Sequence, residues 1–553
     1  MFRRNEMFIQ FSFNCRLVTM TINPCQLLIL ILAFTGSMNG IQSANILGLF
    51  TSLSPSHLII QMSTAKILAE RGHNVTVVTV LKPLVTHKDI NLIQVPLSTE
   101  DAQRHSEIIG SMSKNDNSNI IVSLFGMLKR TGFMFRKMVV ALKDPRVRDL
   151  YLNNGNKFDL VVGGYFMNEY QLGFARKVKA PIVLVALMPP NQMIGSLIGN
   201  PLEGSFLSAD KDAGKKDQGT SFRQRLTNYF YSQFFKLFNY LSERRNIDFY
   251  NELFAEDPSM PPFHDMVKNV SLIFFASHGP SEGPIRALVP AAIEIGGIHI
   301  KDKPDPLPKD LSSFLGNATD GAILLSLGSN VKSSHVKPET VKKMFNVLSK
   351  LKQRVIWKWE DLEKTPGKSD NILYSKWLPQ DDVLAHPNTK LFINHAGKGG
   401  ITEAAYHGKP MLALPIFGDQ PGNAISMVQK GFGLTQSLLT LEEQPFLEAI
   451  QDILTNPQYT EKVSSYSSLY RDRPITARKS LIYWTEYVIR HHGAAHLQSP
   501  LVHMNSIAAN NLDVYVLIFV SLAAVILLLK IVFKFIIKTI ASKSKKGKKQ
   551  KKH

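Results

Sequence analysis

The chain has 553 residues, too many for a single hydrophobic core, which indicates two domains with additional segments. Its hydrophobic content of 44% is ordinary for a globular protein, whereas its net charge of +20 first suggests a nucleic-acid partner. Half of this net positive charge comes from ten lysines between Lys530 and Lys552. Residues 538–553 lack the interleaved aromatic residues that nucleic-acid grooves use. The charge pattern therefore does not predict nucleic-acid binding.

An apolar run near the start of the chain, residues 27–34 (LLILILAF), is too short to span a membrane and precedes small residues up to Ala44. This pattern predicts a signal peptide over residues 1–44, with an uncleaved anchor as the alternative. The true start is left open between Met1 and Met20. The leader contains both cysteines, Cys15 and Cys25. A mature chain without cysteine would fold without disulfides and would perform no thiol chemistry.

The next part of the chain, residues 45–300, alternates strand and helix patterns and is predicted to be one α/β domain. The clearest elements are strands at residues 46–50, 75–80, 160–162 and 182–185 and a helix at residues 57–71. This order predicts a doubly wound parallel sheet, with His57 in the turn at the carboxyl end of the first strand. Residues 222–254 begin with aromatic residues alternating with Arg and Lys, which indicates either contact with a membrane surface or packing on the domain.

A proline-rich linker is predicted at residues 301–308 (KDKPDPLP), and a second α/β domain at residues 309–470. Further on, residues 514–537 form an apolar segment long enough to cross about 30 Å of hydrocarbon. The alternative is a buried core helix. Since positive charge stays cytoplasmic, the lysine-rich tail at residues 538–553 is predicted to be inside and the rest of the mature chain on the opposite side.

The most informative stretch is residues 377–420, WLPQDDVLAHPNTKLFINHAGKGGITEAAYHGKPMLALPIFGDQ, in which polar residues follow short apolar runs. Strand ends would deliver these residues into one crevice. Trp377 offers a flat face on which a uracil ring could stack. Gly397 opens a helix whose backbone N–H groups can approach a phosphate. Glu403 lies on the same helix face as His395, where a carboxylate can accept both ribose hydroxyl groups.

This stretch resembles the signature of the UDP-glycosyltransferases, which move a sugar from a UDP-sugar to a small lipophilic acceptor. The resemblance extends over nearly the whole chain. It implies the GT-B fold, two Rossmann-like α/β domains facing a cleft, with a C-terminal transmembrane helix. Residues 471–510 resemble the terminal helices that return to the first domain. The resemblance implies that Trp377 and Gln380 bind the uridine and that Ser329, His395 and Gly397 bind the diphosphate. Glu403 would bind the ribose, and Asp419 and Gln420 would bind the sugar. Gly400 is a further implied donor-binding residue.

The chain departs from the family signature at three positions of this stretch. Asn394 stands where Ser or Thr is usual, Ala396 replaces a glycine, and Gly399 occupies a position that is often polar. We expect these changes to remove hydrogen bonds, and so to alter affinity more than activity.

By the same resemblance His57 is the catalytic base, the sugar is transferred with inversion, and neither a metal nor another cofactor is required. The family's His is oriented by an acid just after the strand that here reads FDLVV, but this chain has Gly163 and Gly164 there. Glu169 is the nearest downstream carboxylate and is the predicted substitute. If Glu169 does not orient His57, either the acceptor hydroxyl groups are acidic enough to be deprotonated without an oriented base, or the activity is low.

The expected function is hexose transfer, with glucose favoured over glucuronate, to lipophilic hydroxyl groups. The alternative is a catalytically impaired member that binds UDP-sugars or lipophiles as a carrier or regulatory subunit. Lys549 and Lys551 resemble a dilysine retrieval signal, so a single-pass type I protein of the endoplasmic reticulum membrane is expected. Glycosylation is predicted at the sequons of Asn269 and Asn317, and less strongly at Asn74. Whether the protein forms a homo-oligomer is left open.

Overall fold

The computed structural model describes residues 43–112, 120–153, 155–201, 221–283, 285–329 and 333–550. The predicted signal peptide lies outside these residues except for its last two positions.

The N-terminal part of the described chain contains a seven-stranded sheet in the order β3-β2-β1-β4-β5-β6-β7. Every neighbouring pair is parallel. Its strands are β1 (Asn45–Phe50), β2 (Asn74–Thr79), β3 (Ile90–Gln94), β4 (Leu160–Gly164), β5 (Ile182–Ala186), β6 (Val270–Phe275) and β7 (Ala292–Glu294). The strand order reverses between β1 and β4, which is the doubly wound arrangement that the sequence predicts.

Helices connect these strands. They are α1 (Pro55–Glu70), α2 (Thr99–Met112), α3 (Ile120–Leu142), α4 (Pro145–Leu152), α5 (Gly173–Val178), α6 (Gln192–Gly195), α7 (Phe222–Phe254), α8 (Phe263–Met266) and α9 (Gly279–Glu282). Helix α1 begins two residues earlier than predicted, because Pro55 occupies its first turn, where the missing N–H is not needed.

The C-terminal part contains a six-stranded sheet in the order β10-β9-β8-β11-β12-β13, again with parallel neighbours. Its strands are β8 (Ala322–Ser326), β9 (Arg354–Lys358), β10 (Ile372–Ser375), β11 (Thr389–Asn394), β12 (Met411–Ala413) and β13 (Gly433–Thr435). Its helices are α10 (Lys309–Gly316), α11 (Pro338–Leu348), α12 (Gln380–Ala385), α13 (Lys398–Tyr406), α14 (Gln420–Gln429), α15 (Glu443–Thr455) and α16 (Pro457–Arg471). The predicted architecture of two parallel-sheet α/β domains is therefore confirmed.

Successive residues of β8 pack into different cores. Ile323 and Leu325 belong to the cluster on one face of the sheet, whereas Ala322 and Leu324 belong to the cluster on the other. Side chains alternate between the two faces of a strand, so both faces of this sheet must be apolar. Burial on both faces explains why β8 reads as a continuous apolar run rather than as an alternating pattern.

The proline-rich segment between the sheets is bound to the second domain by two adjacent carboxylates of α12. The backbone N–H of Lys301 donates to Asp381 at 2.9 Å, and that of Asp305 donates to Asp382 at 2.7 Å. The ammonium group of Lys301 also contacts Asp382 at 2.6 Å. These contacts fix the connection between the domains at one end.

The chain then returns to the first sheet through α17 (Ala477–Arg490), which packs against α1. Leu481 and Val488 join the core of the N-terminal sheet. Arg71 and Glu486 form an ion pair of 2.9 Å between the two helices. A short helix, α18 (Ser506–Ala509), leads into α19 (Leu512–Gln550).

Among the described helices, one is long and apolar enough to cross a membrane. It covers Leu512–Ser542 within α19, and its most apolar stretch of 18 residues has a mean hydropathy of 3.0 and is not buried against the rest of the described chain. A core helix would be buried, so the alternative interpretation of this segment as a core helix is not supported.

We predict that Gly433→Ala destabilises the second domain. A Cβ atom at residue 433 would lie 1.7 Å from the carbonyl oxygen of Met411, so β12 and β13 would have to separate. We expect a cost of about 3 kcal/mol or more, as for other severe steric conflicts in a core.

The measurement is the free energy of unfolding by denaturant titration. Gly132→Ala is the matched control, because residue 132 is inside α3 and an added Cβ meets nothing within 4 Å. Alanine there should stabilise the protein slightly. Equal effects of the two substitutions would contradict the steric argument.

Candidate active site

The turns after β8 and β11 lie side by side, because these strands pair in parallel with Ser326 opposite Asn394. A Cβ atom at Gly328 would lie 2.4 Å from Cε1 of His395, and one at Gly397 would lie 2.4 Å from Nε2 of the same ring. The imidazole of His395 therefore fills the space left by two glycines. The small-residue turn after β8 and the signature stretch form one structural unit.

His395 is a neutral imidazole at physiological pH. Burial, together with a smaller effect of the positive charge of Lys358, lowers its pKa to about 4. The Nδ1 atom is buried and has no hydrogen-bond partner among the described residues. The ring sits beside Gly397, the residue that precedes α13, where backbone N–H groups and the helix dipole favour an anion. This is the chemistry that a diphosphate requires.

The two signature departures at 394 and 396 act together. Ala396 adopts a left-handed backbone conformation, with φ of 61°, which is unfavourable for a residue with a side chain. The side-chain oxygen of Asn394 accepts a hydrogen bond from the backbone N–H of Ala396 at 2.7 Å, and Asn423 donates to the Ala396 carbonyl at 3.1 Å. The side chain of Asn394 therefore holds the turn, and the expected effect of these changes on affinity stays a prediction.

Glu403 lies in α13, two turns after the His395 turn, and contacts two polar side chains. Gln380, the first residue of α12, donates a hydrogen bond from Nε2 to Glu403. His299, which follows β7 in the first domain, places Nε2 at 3.6 Å from the other carboxylate oxygen. The pKa of Glu403 rises to about 8, mainly because of burial and in smaller part because of the nearby Asp381 and Asp382. Ligand hydroxyl groups would replace solvent as donors to this carboxylate.

The other predicted donor residues occupy the same edge of the second sheet. Ser329 lies in the turn after β8, Trp377 follows β10 with 51% of its surface exposed, and Gly400 lies in α13. A Cβ at Gly400 would be 3.5 Å from Nε2 of Gln380.

The turn after β12 contributes Asp419 and Gln420 at the start of α14. Asp419 is exposed and accepts a hydrogen bond from Asn423 at 2.6 Å. Gln420 is buried, and its side-chain oxygen accepts hydrogen bonds from the backbone N–H groups of Ile416 and Phe417 at 2.8 and 3.1 Å. The Gln420 oxygen therefore stabilises its own turn, which leaves its amide N–H groups for a sugar.

The carboxyl ends of the two sheets face each other. Glu282, in the helix after β6, forms an ion pair of 2.6 Å with Lys398 at the start of α13. Lys430 donates to the backbone carbonyl of Glu282, also at 2.6 Å. Lys398 lies inside the signature stretch but was not predicted to have a role, because its partner is 116 residues away in the sequence. The arrangement is the interdomain cleft that the GT-B fold implies.

On the first-domain side, His57 lies in the first turn of α1, directly after the carboxyl end of β1. Its ring packs edge-on against Phe166 with 5.0 Å between the ring centres. Burial lowers its pKa to about 4, and no charged group contributes to that shift. The Nδ1 atom is buried and unpaired among the described residues.

The structure does not join Glu169 to His57. The two oxygens of Glu169 instead accept hydrogen bonds from the hydroxyl of Tyr165 at 2.9 Å and from Asn246 of α7 at 2.7 Å. Burial raises the pKa of Glu169. Glu169 begins a 3₁₀ helix that turns its carboxylate toward α7. The predicted hydrogen bond between this acid and the base is therefore absent, and Glu169 ties two elements of the first domain together.

Comparison with known proteins identifies the family. The family described as "UDP-glucoronosyl and UDP-glucosyl transferase" matches residues 48–550. UDP-glucosyltransferase 2 of Dactylopius coccus is 32% identical over 94% of this chain and 98% of its own length. UDP-glucuronosyltransferase 2B15 of Homo sapiens is 32% identical over 60% of this chain and 61% of its own length.

Among solved structures, spinosyn forosaminyltransferase SpnP matches with a TM-score of 0.50 and 14% identity, over 81% of this chain and all (100%) of that chain. This likeness concerns the fold. The chain belongs to the UDP-glycosyltransferase family, has the GT-B fold, and is a glycosyltransferase.

We predict opposite effects of Glu403→Gln on stability and on UDP affinity. The raised pKa means that the folded state holds its proton more tightly than the unfolded state, whose ordinary value is 4.5. The free energy of unfolding of the native protein should therefore decrease from pH 4.5 to about 8 and then level off. The variant has no such loss, so its Tm should exceed that of the native protein at pH 8, while the difference disappears near pH 4.5.

Above about pH 8, where Glu403 is charged, UDP affinity should fall at least tenfold, since an amide oxygen replaces a charged acceptor for the ribose hydroxyl groups. Calorimetric titration with UDP and thermal unfolding at several pH values measure the two effects. Glu448→Gln in α15 is the control, because Glu448 is exposed and bonds only Gln444 among the described residues. Unchanged UDP affinity in Glu403→Gln would contradict the ribose assignment.

Proposed function

We propose that this protein transfers a hexose from a UDP-sugar to a hydroxyl group of a small lipophilic acceptor, with inversion at the sugar carbon. The observation that carries the proposal is the cluster at the edge of the second sheet. There the His395 ring lies between Gly328 and Gly397, and Glu403 and Gln380 bond each other on adjacent helices. A diphosphate, a ribose and a uracil ring require these groups in this order along one crevice.

Within this proposal His57 acts as the general base. Its unprotonated nitrogen takes the proton of the acceptor hydroxyl as the acceptor oxygen forms a bond to the anomeric carbon. The bond from that carbon to the diphosphate oxygen breaks, and UDP leaves with the electron pair. His395 and the N-terminus of α13 would stabilise the negative charge that develops on the diphosphate. We expect no metal to be required, and this remains a prediction.

The donor sugar is proposed to be glucose. The relative matched over 98% of its length is named a glucosyltransferase, whereas the human glucuronosyltransferase is matched over 61%. Asp419 and Gln420 offer hydrogen-bonding groups that suit glucose or glucuronate. Competition between the two UDP-sugars for transfer to one phenol would decide between them.

A second candidate function is binding without turnover. It is favoured by Gly164 in the place of the family's acid and by the unpaired Nδ1 of His57. Incubation of microsomes with radiolabelled UDP-sugar and a panel of phenols separates the two functions. Binding of the nucleotide without any labelled product would favour a carrier or regulatory role.

We also propose that the helix Leu512–Ser542 anchors the protein in the endoplasmic reticulum membrane with both α/β domains in the lumen. The asymmetry of charge supports this orientation, because the lysines follow the helix. The three sequon residues are exposed on the proposed lumenal part, namely Asn74, Asn269 and Asn317. Exposed aromatic residues on α7, such as Phe222 and Phe230 at 72% and 64% exposure, suit contact with the same membrane surface.

We expect His57→Ala to reduce transfer to simple alcohols by about 100-fold or more, the contribution of a positioned general base. UDP affinity should be unchanged, because His57 belongs to the domain opposite the donor cluster. Product formation by chromatography and UDP binding by calorimetry test the two statements. The control is His264→Ala, whose side chain is 63% exposed in the same domain. Native turnover by the His57 variant would refute the assignment of the base.

Protease added to sealed microsomes should remove only the lysine-rich tail. Immunoblotting with antibodies against the tail and against the first domain measures the digestion. Vesicles opened with detergent serve as the control and should lose the whole chain. Digestion of both domains in intact vesicles would show that the orientation is reversed.

A further inference from the structure

Gln61 lies one helical turn after His57 on α1 and is completely buried. Residues four apart in a helix occupy the same face, with Cβ atoms about 5–6 Å apart, within reach of a glutamine side chain. Neither polar atom of the Gln61 amide has a hydrogen-bond partner in the described part of the chain, and the same is true of Nδ1 of His57. The Gln61 amide and the His57 imidazole are therefore neighbouring buried groups with complementary hydrogen-bonding capacity, and in the unliganded structure they do not bond each other.

The amide of Gln61 occupies the space beside Gly164, where the family's acid is missing. A Cβ at residue 164 would lie 2.4 Å from Nε2 and 2.8 Å from Oε1 of Gln61. The φ angle of Gly164 is not positive, so the backbone of β4 does not itself require glycine. Asn168 and Gln171 both donate to the carbonyl oxygen of Gly164 at 3.1 Å and hold the strand end in place. Gly164 thus makes room for a side chain that comes from α1.

We propose that Gln61 is the positioning residue for His57 and that, when substrates are bound, its side-chain oxygen accepts the Nδ1–H of the imidazole in the place of the missing acid. This hydrogen bond leaves the other ring nitrogen unprotonated and ready to take the acceptor's proton. The inference rests on the proposed function, in which His57 is the base. It also accounts for Glu169, whose hydrogen bonds to Tyr165 and Asn246 turn it away from the imidazole.

An amide partner has a consequence for the acceptor class. A carboxylate would stabilise the imidazolium that forms during transfer, whereas a neutral amide fixes the ring with much less charge stabilisation. Burial alone shifts the pKa of His57, with no contribution from a charged group among the described residues. The base is therefore weak, and the enzyme should favour acidic hydroxyl groups, such as those of phenols, over aliphatic alcohols.

The first experiment measures contact between the two side chains without requiring turnover. Hydrogen–deuterium exchange at the C2 position of His57, followed by mass spectrometry over a range of pH, reports the pKa of this one imidazole. Gln61→Glu should raise the pKa by about one unit or more, because a carboxylate is placed beside the ring. Gln61→Leu should not raise it. An unchanged His57 pKa in Gln61→Glu would overturn the proposal, even if the native protein transfers no sugar.

The second experiment measures the reaction with phenols of graded acidity. Gln61→Leu should lower kcat about tenfold or more with an unchanged KM for the UDP-sugar. Gln61→Glu should move the acidic limb of the pH profile to higher pH and make the rate less sensitive to acceptor acidity. Gln171→Leu removes a buried amide that bonds Gly164 and should lower Tm without moving the pH profile. If Glu169→Gln moves the profile and Gln61→Leu does not, the orienting residue is Glu169 and the proposal fails.

A double substitution tests the shared space. Gly164→Asp alone should lower Tm, because the new side chain conflicts with the Gln61 amide. Gly164→Asp combined with Gln61→Ala vacates that space, so Tm should recover and the His57 pKa should rise as in Gln61→Glu. A single Gly164→Asp variant that is as stable as the native protein would contradict the shared position. Absence of transfer by the native protein, with the pKa responses as expected, would refute the proposed function and leave the contact standing.

Discussion

The parallel pairing of β8 with β11 at the centre of the second sheet is the constraint on which the proposed donor site depends. It sets Ser326 opposite Asn394, so the turns that follow must lie against each other. The His395 ring fills the gap only because residues 328 and 397 lack side chains. Backbone hydrogen bonds between two strands thus decide which residues form the crevice, and the apolar residues on both faces of β8 fix the register.

The groups assigned to chemistry share a physical property, which is burial without full compensation. Among the described residues, Nδ1 of His57 and Nδ1 of His395 are buried without a hydrogen-bond partner, and the pKa of both imidazoles is lowered to about 4, mainly by burial. Burial raises the pKa of Glu403 to about 8. Such groups reduce the stability of the unliganded fold and gain partners when a ligand arrives. The interdomain ion pair of Glu282 and Lys398 lies among them, at the facing edges of the two sheets.

The sequence predicts that the proposed donor residues gather at one edge of the second sheet, because strand ends in a parallel sheet meet at one edge and the polar residues follow those ends. Which side chain lies beside His57 in the place of the family's acid could not be predicted from sequence. Glu169 is close to the right position along the chain, but its carboxylate is turned toward Asn246 on α7, 77 residues further along the chain. The sequence likewise does not show that the side chain of Asn394 holds the unfavourable φ angle of Ala396.

The sequence by itself determined the fold class, the family, the apolar helix near the C-terminus and the residues that follow each strand of the second sheet. These properties depend on local patterns of apolar residues, turns and strand ends, which a linear reading captures. Only the tertiary structure decided which side chain occupies the space beside Gly164, because that space lies between β4 and α1. Gln61 and Gly164 are 103 positions apart in the chain, and only the packing of one helix on one strand brings them together.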